Sequence, residues 1–98
     1  MISRSKEKCD AKLEIIRQMY PSIQTKSHAC DFSSITTMAE YRELVQEAGL
    51  DTIDIGIVCL NAGLNTSGLV DLIEDKNIQD IWSVNLLHVV YMLKALSN

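Results

Sequence analysis

The sequence predicts the α/β class with a parallel sheet, on three observations. Segments of strand character alternate along the chain with segments of helical periodicity. One segment, Ile53 to Leu60, ends in a near-continuous apolar run, the pattern of a strand covered on both faces. Three polar clusters, Ser3-Arg4-Ser5, Asp31-Phe32 and Asn61-Ala62-Gly63, each follow a predicted strand. Ligands of parallel sheets bind outside the carboxyl ends of strands, so these clusters are the candidate functional positions.

Taken in order, Ile2-Ser3-Arg4 reads as the tail of a strand running into a helix cap, with Ser3 or Ser5 accepting a first-turn N–H bond. Cys9, Leu13, Ile16 and Tyr20 recur at helical spacing, and Tyr20-Pro21 ends that helix, because the residue before proline disfavours αR. Residues 22–30 read as a second strand and Asp31–Ser34 as a polar turn. Thr37-Met38-Ala39-Glu40 has the pattern of a capping box. The helix it opens puts Met38, Tyr41, Leu44, Val45 and Ala48 on one face, and Gly49 stands where a left-handed terminating residue belongs. After the apolar run of 53–60, a loop rich in small polar residues reaches about Gly68. A last helix starts near Asp75–Ile78 and runs almost to the end. Its second half, Leu86 to Leu93, is apolar nearly all round, which predicts burial on more than one side, by its own domain or by a partner subunit.

Composition narrows the function classes. With 98 residues, 47% of them hydrophobic and 22% charged, and a single proline, the chain is globular rather than disordered or low-complexity. No apolar run is long enough to span a bilayer, and the start lacks the pattern of a signal peptide. The net charge of −4 argues against nucleic acid as a partner. The charge is uneven. Residues 1–30 hold six cations and three acids (+3), which leaves three cations and ten acids (−7) for residues 31–98. Three cysteines make an odd number, pointing to a reducing compartment rather than a disulfide framework. Cys9, Cys30 and Cys59 lie far apart, with no paired ligand spacing, so no metal site is expected. There is no Ser-His-Asp arrangement and no glycine-rich phosphate loop.

The clusters carry the chemistry. Arg4, flanked by Ser3 and Ser5, suits the 2′-phosphate of an adenosine, because guanidinium is planar, always charged and binds phosphate bidentately. An acid at such a position would instead accept from an unphosphorylated ribose, so the bias is to NADP(H) over NAD(H). The alternative is an ordinary surface arginine near a helix start. Asp31 can accept from an adenine amine and Phe32 can flank the ring; the alternative is that Asp31 caps its own turn. Asn61-Ala62-Gly63 offers a small-residue turn that lets backbone approach a dinucleotide closely; alone it reads as a simple strand-ending turn. Asn85 interrupts an apolar helix at a cost, and so needs a partner, either as a satisfied amide or as part of a polar relay. His88, near Asn85 on the same helix, reads as a surface or interface residue.

Together these residues resemble the short-chain dehydrogenase/reductase superfamily over almost the whole chain. Leu60-Asn61-Ala62-Gly63 is similar to its Asn-Asn-Ala-Gly motif, with Leu in the first place. Ser83-Val84-Asn85-Leu86 resembles the helix bearing the family's catalytic Asn, and Asp31 matches the adenine-contacting Asp. Three stretches, Ile2 to Lys8, Ala29 to Ser33 and Asp54 to Val58, look like the 17β-hydroxysteroid dehydrogenase type 12 branch, the very-long-chain 3-oxoacyl-CoA reductases.

The resemblance implies a partial Rossmann-like doubly wound parallel sheet with flanking helices, lacking the first strand and the C-terminal catalytic half. On that reading residues 1–98 belong to one NAD(P)-binding domain of roughly 250 residues. The implied function is that of a fragment of an NADP(H)-dependent short-chain oxidoreductase, reducing a ketone of 3-oxoacyl-CoA or steroid type to an alcohol and inactive alone. Neither the family's glycine-rich loop nor its Ser and Tyr-x-x-x-Lys residues is present. Ser3, Arg4, Ser5, Asp31, Phe32, Asn61, Ala62 and Gly63 would face the cofactor. Asn85 alone would serve catalysis, by holding a relay water. The implied setting is the cytoplasmic face of the endoplasmic reticulum or the cytoplasm, with a small-molecule or acyl-CoA substrate and a homo-oligomer joined through the last helix. Sheet order 3-2-1-4-5-6 puts the absent strand between the second and fourth, so open sheet edges and a marginal, aggregation-prone chain are expected. The alternative is a non-catalytic interaction module that pairs through its C-terminal helix.

Overall fold

The computed structural model describes residues 1–97. The chain is mixed α/β and mostly helical, with one parallel sheet of two strands. It forms two compact units, Met1–Asp31 and a second that begins at Phe32.

The first unit is a strand–helix–strand motif: β1 (Ile2–Ser3), α1 (Lys6–Met19) and β2 (His28–Ala29). Ser5 caps α1, its hydroxyl accepting from Lys8 N–H at 3.2 Å. The helix stops at Tyr20, before Pro21, as the sequence predicts. Cys9 and Leu13, one turn apart, are its buried residues. The two strands pair parallel with Ile2 opposite His28 and Ser3 opposite Ala29. His28 N–H donates to Met1 O and Cys30 N–H to Ser3 O, both at 3.0 Å. Lys6 pairs with Asp10 at 2.8 Å, and Ser27 Oγ donates to the same carboxylate. The Lys6 hydrogen bond, followed by that of Ser27, holds the Asp10 carboxyl below its ordinary pKa. The second strand is shorter than the 22–30 expected: residues 22–27 are irregular. A parallel pairing persists only where the partner strand exists, and β1 is two residues long.

In the second unit, α2 (Met38–Glu47) is closed at both ends by its own residues. Thr37 Oγ1 accepts from Glu40 N–H at 3.3 Å while Glu40 Oε2 accepts from Thr37 N–H at 2.8 Å, the capping box the sequence predicts. The Thr37 hydroxyl, donating to Glu40 Oε2 at 2.7 Å, followed by the N–H groups of Thr36 and Thr37, holds the Glu40 carboxyl below its ordinary pKa. At the other end Gly49 adopts φ 67°. Its N–H donates to Gln46 O and that of Leu50 to Val45 O, both at 2.9 Å, completing a Schellman motif.

The last helix begins at Asp75 and is continuous to Leu96, but not uniform. It consists of α3 (Asp75–Trp82), a π-helical turn at Ser83–Leu87 and α4 (His88–Leu96). Val84, His88, Met92 and Ala95 form its buried face, and α2, whose buried residues are Tyr41, Leu44 and Val45, packs against α4. The described residues bury one side of it, and Trp82, Leu86, Val90 and Leu93 remain exposed. One neighbouring helix covers one stripe only.

The strand expected at 53–60 is absent. Residues 54–67 have no regular structure, and Ile53, Ile57 and Val58 are exposed, Ile57 by 85%. An apolar run becomes a buried parallel strand only with a strand on each side and layers above and below, and among the described residues this segment has neither. No helix among the described residues is long and apolar enough to cross a membrane.

Candidate functional site

The first unit gathers four of the sequence-predicted positions. Because β1 and β2 run parallel and in register, the residues that follow them leave the same edge of the sheet. Ser3-Arg4-Ser5 and Cys30-Asp31 are tied at that edge by the bond from Cys30 N–H to Ser3 O. Arg4 is exposed, and among the described residues its guanidinium makes no hydrogen bond or ion pair. Ser5 spends its hydroxyl as an acceptor on the helix cap, which leaves its O–H proton as a donor. Arg4 adjoins the N-terminal turn of α1, where the helix dipole favours negative charge. This donor set fits a phosphate dianion.

The second unit holds the other positions. Asn61, Ala62 and Gly63 are exposed, with backbone groups that make no hydrogen bond among the described residues. Gly63 is not demanded by packing, since an added Cβ would meet only Asn85 Oδ1, at 3.5 Å. Asn85 lies in the π-helical turn and holds the backbone just beyond. Its Nδ2 donates to Leu64 O at 2.7 Å, and its Oδ1 accepts from Leu64 N–H at 2.9 Å. The amide thus pairs with one residue's backbone as a neighbouring strand would. Of the readings open for Asn85, a satisfied amide describes these contacts; one donor and one acceptor site of the amide remain. The π turn itself carries no sequence signal beyond a mid-helix Asn, although such turns concentrate at functional sites.

Phe32 stands in the core and not at the surface, where a ring flanking adenine would be. It is 6% exposed and stacks on His88 with ring centroids 3.9 Å apart. Tyr41 lies parallel to it at 6.3 Å, and Tyr91 meets Tyr41 edge-on at 5.7 Å. The reading of His88 as a surface or interface residue is corrected by the same packing. His88 is 2% exposed, because it shares the buried stripe of Val84, Met92 and Ala95 and stacks on Phe32. Its Nδ1 lies 3.2 Å from Val84 O, and burial pushes its pKa below the ordinary histidine value.

No family model matches the chain, and neither a curated protein nor a solved structure matches it. Among the described residues, no three His, Cys, Asp or Glu side chains gather in a way that would hold a metal ion. Cys9 is buried, Cys30 half-buried and Cys59 exposed, and no disulfide joins them.

Proposed function

We propose that the chain is the nucleotide-side segment of an NADP(H)-dependent short-chain oxidoreductase, with a partial Rossmann-like sheet completed by strands from outside residues 1–98. One observation supports this reading above the others. The parallel β1–β2 pair sets Ser3-Arg4-Ser5 beside Asp31, with the Arg4 guanidinium exposed and unpaired among the described residues. Arg4 and the Ser3 and Ser5 hydroxyls would hold the 2′-phosphate, and Asp31 would accept from the adenine amine. Asn61, Ala62 and Gly63 would offer backbone to the remainder of the dinucleotide, with Asn85 fixing the loop they lead into. The bound nicotinamide would supply hydride to a ketone of 3-oxoacyl-CoA or steroid type. On this reading the enzyme works at the cytoplasmic face of the endoplasmic reticulum or in the cytoplasm.

The test separates the 2′-phosphate from the rest of the nucleotide. Adenosine 2′,5′-bisphosphate is titrated into the isotope-labelled chain beside adenosine 5′-monophosphate, and amide shifts are followed. The amides of residues 3–5 and 31 are expected to respond to the bisphosphate at about tenfold lower concentration than to the monophosphate, and Arg4→Glu to abolish the difference. Equal responses, or a preference that survives Arg4→Glu, would refute the assignment.

A second reading, an interaction module pairing through its C-terminal helix, is favoured by a specific observation. Trp82, Leu86, Val90 and Leu93 leave an apolar stripe exposed opposite the packed face. Sedimentation of a Leu86→Glu/Leu93→Glu variant tests it: self-association lost with both charges in place supports the module.

A further inference from the structure

His88 is bound into the last helix twice. In an uninterrupted α-helix its backbone N–H would donate to Val84 O, four residues back. In the π turn it donates instead to Ser83 O, five residues back, and the imidazole Nδ1 stands 3.2 Å from Val84 O. The side chain of His88 thus meets the carbonyl that its own N–H has left. A carbonyl oxygen only accepts, so this bond requires a proton on Nδ1. Burial, opposed by the bond to Val84 O, keeps the pKa of the ring below its ordinary value. At neutral pH the ring is therefore uncharged and has one N–H to place. Its face and its edge are used separately, the face stacked on Phe32 with centroids 3.9 Å apart and the Nδ1 edge turned to Val84 O.

We infer that His88 is a positioning residue for the loop at Leu64: by donating from Nδ1 to Val84 O it holds the π turn that presents the Asn85 amide to Leu64. Asn85 directly follows Val84 in that turn and makes both bonds to Leu64, at 2.7 and 2.9 Å. The segments on either side of the turn are unequally anchored. α4 buries His88, Met92 and Ala95, whereas α3 buries no residue. Relaxation to the α-helical register shifts the hydrogen bonds by one residue, a rotation of about 100°. The weakly anchored α3 side, with Asn85, is the part that turns, and Leu64 loses its partner. The consequence for the nucleotide rests on the proposed function, in which Asn61-Ala62-Gly63 lead into this loop. The link from His88 to Leu64 stands without it, and no nucleotide enters its test. Loss of the bisphosphate preference would thus refute the nucleotide reading and leave this link untouched.

The experiment uses the full 98-residue chain, isotope-labelled and free of nucleotide. Long-range proton–nitrogen spectra read the tautomer, the His88 ring being the one that disappears in His88→Phe. Nδ1 is expected to carry the proton and Nε2 the lone pair, an arrangement that packing alone does not require. Amide exchange is then compared at Leu64 and at Ala48, whose N–H donates to Leu44 O at 2.9 Å and reports opening of α2. His88→Phe keeps a ring against Phe32 but has no Nδ1–H. It is expected to quicken Leu64 exchange about fivefold relative to Ala48, the worth of one hydrogen bond. His88→Asn loses the ring but keeps an N–H donor on Cγ, where Nδ1 stands. It is expected to hold the ratio of Leu64 to Ala48 exchange within about twofold of the parent's, although the whole unit is less stable. A proton on Nε2, a ratio unmoved by His88→Phe, or a ratio lost equally in His88→Asn would overturn the proposal. If His88→Asn does not fold, the tautomer and His88→Phe decide alone.

Discussion

Replacing Asn85 by Ala removes both bonds to Leu64 and leaves the rest of the helix in place. A net contribution of about 0.5–1.5 kcal/mol per bond, taken at the low end because the site is exposed, gives about 1–2 kcal/mol for the pair. That corresponds to a factor of about 5–30 in the opening equilibrium of the loop. Global stability falls by less than this, since Ala in a helix is favoured over Asn by about 0.5 kcal/mol. A melting curve sees only that remainder and does not locate it in the loop. Amide hydrogen exchange does: Leu64 N–H is expected to exchange about 5–30 times faster in Asn85→Ala, while Glu40 and Leu50 N–H, held at the ends of α2, are unchanged. Asn85→Asp should do no better than Ala. Its carboxylate can still accept from Leu64 N–H, but it sets a second acceptor against Leu64 O in place of a donor. Leu64 exchange unaltered in Asn85→Ala would show that the amide does not hold the loop.

Three further outcomes follow from the core and the caps. His88 is buried with its pKa below the ordinary value, so the unfolded chain binds the proton more readily than the folded one. Stability measured by urea titration should hold above about pH 7 and fall as pH drops through the ordinary histidine value of about 6.5, a component absent in His88→Phe. Phe32→Ala removes the ring stacked on His88 and should cost about 3–5 kcal/mol, unfolding the second unit as judged by loss of helical circular dichroism. Gly49→Ala forces a Cβ into the left-handed region at φ 67° and should cost about 1 kcal/mol in a denaturant midpoint, with α2 fraying from its C-terminal end.

What could be read from the sequence divides along the range of the interactions. The start and end of α2 were legible because Thr37, Glu40 and Gly49 act on backbone groups within a few residues. The end of α1 at Tyr20-Pro21 is equally local. The parallel pairing of β1 with β2 followed from the strand–helix–strand pattern. The candidate residues Ser3, Arg4, Ser5 and Asp31 lie at one sheet edge for that reason. The segment 53–60 failed because an apolar run states only that burial would be favourable, not that a partner is present. Phe32 and His88 were misplaced together. Each looks polar-adjacent or exposed in its own segment, and only the packing of α2 on α4 makes them neighbours. The π turn, whose Asn85 bonds Leu64 21 residues away, has no signature in the local spacing.

The unequal finish of the second unit links the two functional readings. Its helices are capped and packed, whereas Ile53, Ile57, Val58, Leu69, Val70 and Leu72 between them are left exposed. Covering side chains of this size contributes about 1.5–3 kcal/mol each, so on the order of 10 kcal/mol of burial is unrealised in this stretch. That rivals the whole stability of a small domain. Whatever covers the stretch therefore acts on the stability of the unit as strongly as its own core does.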